Sequence, residues 1–296
     1  EMINILKFIA SIVESNWKIK ILAFWLLSAL PGKLLFYFQH NITKRSSKQI
    51  SQIDKDWIFI LTKLKDSFKS DEINLIEFGA GRNLAQNIFL SLNLKNLKQT
   101  VIDVSPMMNP NMTFQAYIEI CNHLNIKPLN NLKNINDLLS FLRISYLAPA
   151  DISSFIPEKK YDICVSKDTI EHIPKKSLDK IFLNLRNILV SDGILISCVD
   201  YTDHYSHTNR NLSNLNFLRY NTFQWFFLNP PNHYQNRIRH SELLRMLEKA
   251  NFSLSQYEIE SQETIDIEIS KHFSLFETKD LLISRSRILS INKGHL

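Results

Sequence analysis

The stretch Ile73 to Asn83 reads Ile-Asn-Leu-Ile-Glu-Phe-Gly-Ala-Gly-Arg-Asn, and it constrains the fold of this chain more than any other segment. Only five glycines occur in 296 residues, and Gly79 and Gly81 stand two apart directly behind an apolar run. In a chain so poor in glycine, each is expected where the backbone takes a conformation, or approaches a neighbour, that a side chain forbids. Asn74 to Phe78 therefore reads as a buried strand and the glycines as a tight turn against a ligand. Leu84, Ile88, Phe89 and Leu92 form the buried stripe of the following helix. This pattern places a nucleotide-type site at the carboxyl end of a strand.

Two cofactors compete for such a turn. A dinucleotide fingerprint needs a third small residue for close helix-to-strand contact, and Leu84 stands at that position. Further strands follow. Thr100 to Val104 carries Asp103, 22 residues after Gly81, near the ~20-residue offset at which an acid meets ribose hydroxyls. Ile144 to Asp151 reads as a third strand ending in an acid, and Tyr161 to Lys167 as a fourth, followed by Asp168-Thr169-Ile170-Glu171-His172-Ile173-Pro174.

Taken in order, Glu77-Phe78-Gly79-Ala80-Gly81, Asp103, Asp151 and the segment from Tyr161 through Glu171-His172-Ile173 resemble the class I S-adenosylmethionine (SAM) dependent methyltransferases. Asn83 departs from that family's usual third glycine. The resemblance covers roughly residues 72–290. It implies SAM as cofactor, held by Glu77, Gly79, Gly81, Asp103, Asp151 (toward the adenine) and Ser166 just before the fourth strand's end.

The remaining pattern fits an α/β fold. Leu178, Ile181, Phe182, Leu185, Ile188 and Leu189 recur at helical spacing, and Asp192-Gly193 turns into the strand Ile194 to Val199. Ser241 is placed to cap a helix containing Leu243, Leu244 and Leu247, Phe252 to Leu254 enters a sixth strand, and the stretch from Leu281 to Ser290 supplies a last one. Strands alternating with helices predict a doubly wound, mostly parallel seven-stranded sheet, Rossmann-like and covered on both faces. The expected organisation is an N-terminal helical extension over 1–50 and a methyltransferase domain over 51–296, with a lid insertion at 200–240 after the fifth strand. Cys121, Cys164 and Cys198 are few and scattered, which predicts reduced buried thiols and, with SAM chemistry, the cytoplasm.

Charge concentrates at one end. Residues 1–70 hold 11 Lys and Arg against 5 Asp and Glu, a net +6 that equals the formal charge of the whole chain. Within them, the apolar run Ile21 to Leu27 is far short of the ~20 residues that span a bilayer, Pro31-Gly32 breaks any longer helix, and no small-residue cleavage site follows. Aromatic and aliphatic residues flanked by Lys18, Lys20, Lys33, Lys44 and Arg45 suit two arrangements for residues 17–45. One is a helical pair lying on an anionic membrane surface, at the inner face of the membrane. The other is a helical cap on the domain or on a second subunit. Nucleic acid is disfavoured, because the aromatics interleave with aliphatics rather than with a dense basic stripe.

Residues 200–240 hold nine aromatics and four of the nine histidines, a composition suited to a lid or binding wall. Tyr201, Arg219, Trp225, Tyr234 and Arg237 are the expected acceptor contacts, the arginines, with Arg239, gripping an anionic group. His172 after the fourth strand and His204 after the fifth are the candidate general bases, with Asp203 or Asp200 orienting the imidazole. His204 and His207 with Asp200 and Asp203 could also ligate a divalent ion, but no zinc-type spacing occurs, and the reading assigns no metal. The expected activity is O-methylation of a glycan, a lipid-linked sugar or a related polar metabolite. The alternatives are methylation of nitrogen or carbon in a small aromatic or lipid molecule, or a non-catalytic subunit that keeps the fold.

Overall fold

The computed structural model describes residues 16–28, 50–68, 72–207, 209 and 211–294. Seven strands form one sheet: β1 (Ile73–Phe78), β2 (Leu97–Ile102), β3 (Ile144–Leu147), β4 (Tyr161–Lys167), β5 (Leu189–Asp200), β6 (Phe252–Ser261) and β7 (Ile283–Asn292). Their order is β3-β2-β1-β4-β5-β7-β6. The first five are parallel, and β7 runs antiparallel between β5 and β6. The chain winds outward from β1 in one direction and from β4 in the other, so the crevice for a ligand opens at the carboxyl ends of these two neighbours.

Helices cover both faces because strand residues are apolar on both. Leu75, Val165 and Ile196 pack against α2 (Lys55–Ser67), α3 (Ala85–Asn93), α4 (Pro110–His123) and α5 (Ile135–Phe141). Ile76, Cys164 and Leu195, each one residue out of step, pack against α6 (Lys175–Ile188) and α8 (His240–Lys249). The period of two along a strand produces this division.

Two local expectations are corrected. Asp192 (φ 60°) and Gly193 do not precede β5 but lie inside it, where the pairing with β4 slips between Tyr161 and Ile163. Helix α8 begins at His240 with Arg239 before it, and Ser241 is not its cap. Asp280 performs that task from another element, accepting from the Ser241 amide (2.9 Å) and hydroxyl (2.7 Å).

A third cluster stands over the carboxyl end of the sheet. Helix α1 (Trp17–Ser28) meets the 200–240 insertion, which contains α7 (Thr222–Leu228), and both meet Phe273 and Leu281 from the segment that ends in the short α9 (Thr278–Leu281). Trp17 lies against Tyr205 and Tyr220, Phe24 stacks on His233, and the Trp25 indole donates to the Phe227 carbonyl at 2.8 Å. The inner face of α1 is thus a cap on the lid. The expected second half of the N-terminal pair, 29–45, lies outside the described residues.

Candidate active site

Strand β1 ends in the glycine turn, where Gly79 (φ +79°) and Gly81 (φ +75°) both occupy the left-handed region. A Cβ on Gly79 would stand 2.4 Å from the Thr169 methyl carbon, while among the described residues no atom beyond the chain neighbours lies within 4 Å of the corresponding point on Gly81. Asn83, in the place of the absent third glycine, accepts from the Ala85 amide through its side chain at 3.2 Å, and Leu84 takes the left-handed step (φ 49°) that starts α3. Glu77 lies behind the turn rather than on its open side. It is buried, and its Oε2 accepts from Asn87 Nδ2 at 2.7 Å. Asn87 in turn donates to Gln99 Oε1 (3.0 Å), tying β1, α3 and β2 together. Burial pushes the Glu77 pKa up to about 7. Sequence reasoning missed this network, because Asn87 and Gln99 sit at positions whose periodicity reads simply as core.

Asp103 lies just beyond β2, its Oδ2 accepting from the Tyr146 hydroxyl at 3.1 Å, and burial raises its pKa to about 6. The loop after β3 is drawn toward it, with the Ala150 amide donating to the Asp103 carbonyl (2.8 Å). Asp151 is exposed and accepts from the Ser153 amide at 2.8 Å. Ser166 is fully buried in β4, its hydroxyl without a partner among the described residues. Next to it, Lys167 at the strand's end contacts Asp54 (3.1 Å) and Asp168, and Arg285 bridges Asp168 (2.6 Å) to the buried Asp56. Burial alone would raise the Asp168 pKa, but Lys167 and Arg285 hold it below the ordinary value. These ionic residues, drawn from α2, β4 and β7, were not anticipated, since nothing local marks them. The donor set fits SAM: open backbone over Gly81, and a carboxylate at Asp103 able to accept from two hydroxyls.

Four imidazoles gather beside this turn. The His204 ring centre lies 4.8 Å from His172, 5.0 Å from His207 and 6.4 Å from His233. His172 shares a hydrogen bond of 2.9 Å between its Nδ1 and the Tyr234 carbonyl; a carbonyl can only accept, so Nδ1 carries the proton and Nε2 holds the lone pair of the neutral ring. Burial, with the neighbouring imidazoles, pushes the His204 pKa down to about 2. Asp200 is the carboxylate that meets the rings, its Oδ2 lying 3.8 Å from His204 Nε2 and 3.5 Å from His207 Nε2. Asp203 does not take that place. It is fully buried, accepting from the Tyr205 amide (2.8 Å) and Asn216 Nδ2 (2.9 Å), and it organises the lid. Among the described residues, two sets of side chains could hold a metal ion, Glu171-His172-His204 and Asp200-His204-His207.

The expected acceptor wall is also redistributed. The buried Tyr201 hydroxyl meets Ser286 (3.0 Å) and His240 (3.4 Å). Trp225 is buried and donates to the Gln235 carbonyl at 3.3 Å. Arg237 lies over Trp225 and Phe273 and donates to the Phe217 and Tyr220 carbonyls, while the fully buried Arg239 donates to the carbonyls of Tyr201, Leu281 and Ile283. In place of the expected anion grip, these two arginines donate to carbonyls of the lid, of Leu281 in α9 and of Ile283 in β7. Of the five residues, Tyr234 is half-buried beside His172 and Arg219 is exposed.

This fold, with a glycine turn at the switch between β1 and β4 and an acid closing β2, defines a class I SAM-dependent methyltransferase. A sequence family described as "Methyltransferase domain" matches residues 50–257, and the chain belongs to it. It is an enzyme, and its cofactor is SAM. The CurJ carbon methyltransferase is similar in structure, with a TM-score of 0.54 at 13% identity over 96% of this chain and 66% of that one. A SAM-dependent methyltransferase from Methanosarcina mazei gives a TM-score of 0.47 at 13% identity, over 78% of this chain and 98% of its own. Magnesium protoporphyrin IX methyltransferase from Synechocystis PCC 6803 gives 0.49 at 12% identity, over 88% and 99%. At such identities the likeness is one of fold. No curated protein sequence matches the chain significantly.

Proposed function

We propose that this methyltransferase transfers the methyl group to a hydroxyl oxygen of a polar acceptor such as a glycan or lipid-linked sugar, with His172 as the general base. The observation that carries the reading is the bond from His172 Nδ1–H to the Tyr234 carbonyl, which leaves an exposed imidazole with its basic nitrogen available. His172 follows Thr169, whose hydroxyl donates to the Gly79 carbonyl at 3.1 Å, so the base and the cofactor turn are braced by one loop. SAM, when bound, supplies an electrophilic methyl on a sulfonium. The acceptor oxygen forms the new C–O bond as the S–C bond breaks, the electron pair stays on sulfur, and the hydroxyl proton passes to His172 Nε2. The largely enclosed, weakly basic His204 does not suit that role, although it lies close in sequence to Asp200 and Asp203. His172→Ala should lower turnover at least about 100-fold with SAM affinity within a few fold of wild type. Unchanged turnover on an identified acceptor would move the assignment to a nitrogen or carbon acceptor.

The outer face of α1 supports contact with an anionic membrane from the cytoplasmic side. No helix among the described residues is long and apolar enough to cross a bilayer. Leu22 and Leu26 are 61% and 68% exposed, and Leu22 adjoins Phe226 and Phe227 of α7, themselves 64% and 54% exposed. A groove of about 570 Å³ between them is lined by Lys18, Ile21, Leu22, Trp25, Phe226 and Phe227, and neither helix carries an acid. An apolar plane edged by Lys18, with no acid on either helix, complements an anionic lipid surface. Such docking would present the lid to a lipid-linked acceptor.

A further inference from the structure

We propose that Asp200, His204 and His207 form a binding site for one divalent transition-metal ion beside His172. Their ligand atoms all lie within 4.8 Å of one another, and Asp200 Oδ2 is 3.8 Å from His204 Nε2 and 3.5 Å from His207 Nε2. Two donors each about 2.1 Å from one ion stand at most ~4.2 Å apart, so small side-chain movements close the ring.

Independent features point to a cation at this place. His204 Nε2 is buried and has no hydrogen-bond partner among the described residues. Nearby, Glu171 is 2% exposed; its Oε1 accepts from the Asp200 amide (3.3 Å), while its Oε2 has no partner among the described residues. Glu171 also lies with His172 and His204 in a second set of converging ligand atoms. Buried polar atoms without partners are rare and call for an explanation such as an ion.

The surroundings already orient the ligands. Thr202 donates to Asp200 Oδ1 through its amide (2.8 Å) and hydroxyl (2.6 Å), leaving Oδ2 toward the imidazoles, as outer partners of metal carboxylates do. His207 Nε2 lies 2.9 Å from the Thr202 hydroxyl, a contact it exchanges for the ion on moving its proton to Nδ1. The His207 ring is 48% exposed and provides the way in. Two imidazoles and one carboxylate suit iron(II), cobalt(II), nickel(II), zinc(II) or manganese(II) better than magnesium or calcium, and leave coordination positions open. The role of the ion, though not its binding, rests on the O-methylation reading: it would take the acceptor oxygen as a ligand and lower the hydroxyl pKa before the proton reaches His172.

The test is titration of the chelator-stripped full chain with cobalt(II), followed by its ligand-field absorption, and with zinc(II) by calorimetry. The expected result is one equivalent per chain, with affinity reduced at least about 100-fold in His204→Ala and Asp200→Asn while SAM affinity is unchanged. The half-exposed His207→Ala supplies the same comparison should either of those less exposed variants lose SAM binding through misfolding. Absence of saturable binding, or binding of equal strength in these variants, overturns the proposal. His172→Ala should retain the cobalt spectrum yet lose turnover, so failure of the metal site and failure of the base assignment are read separately.

Discussion

The Thr169 side chain fills the space that any Cβ on Gly79 would occupy, and its hydroxyl donates to the Gly79 carbonyl at 3.1 Å. Gly79 is therefore constrained by a neighbour as well as by its φ of +79°, whereas Gly81 is constrained by backbone conformation alone. Gly81→Ala should cost about 1–2 kcal/mol for the left-handed residue. Gly79→Ala should cost more, because the Thr169 loop must also move, and should weaken SAM binding at least tenfold. Calorimetry and thermal melts of both variants check the order; equal losses would show that the Thr169 contact is not limiting.

SAM affinity should depend on pH through Asp103. Its pKa is raised to about 6 by burial, and only the ionised carboxylate accepts from both ribose hydroxyls. Binding therefore strengthens as pH rises through 6 and weakens by up to about tenfold per unit below it. Asp103→Asn should bind more weakly and lose this dependence; a wild-type profile flat between pH 5 and 8 would remove Asp103 from the ribose site.

Glu77 should make the fold less stable at alkaline pH. A buried acid whose pKa is raised from 4.5 to about 7 favours the folded state most below the unfolded value, and that contribution is lost as pH rises through 7. Lys167 and Asp103 act on it with opposite signs, and neither outweighs its burial. Glu77→Gln keeps an acceptor for Asn87 and removes the buried charge, so it should flatten the decline between pH 5 and 8 by at most roughly 3 kcal/mol. Denaturant melts across that range measure it, and parallel curves for the two proteins would contradict it.

Vesicle binding should require anionic lipid and fall with salt, since the cationic contribution is screened over ~8–10 Å. Phe226→Glu with Phe227→Glu should abolish pelleting while leaving SAM affinity intact, because both rings point outward. Pelleting that is indifferent to lipid charge, or unchanged in the double variant, would leave α1 as a lid cap only.

Much of the fold was legible in the sequence because its signals are local. A strand buried on both faces must be apolar throughout, a helix on its surface must repeat near every fourth residue, and two glycines in a glycine-poor chain mark a backbone that side chains would block. The seven strands, the turn at Gly79 and Gly81, and the acid at Asp103 follow from those requirements. What tertiary structure decided are the pairings between distant residues. His172 and His204 become neighbours only when β4 and β5 lie side by side, and Asp200 rather than Asp203 meets the rings because Asp203 turns inward to hold Tyr205 and Asn216. Tyr201, Trp225 and Arg237 look like a binding wall in sequence, yet whether an aromatic or an arginine faces an acceptor or a core depends on what packs against it. For Trp225 and Arg237 the lid's own core and the segment before β7 supply that packing, and for Tyr201 β7 and His240 do. The same holds for Asp56, a surface-like acid by type, which lies buried because Arg285 and Arg287, more than two hundred residues away, provide the charges that offset its desolvation.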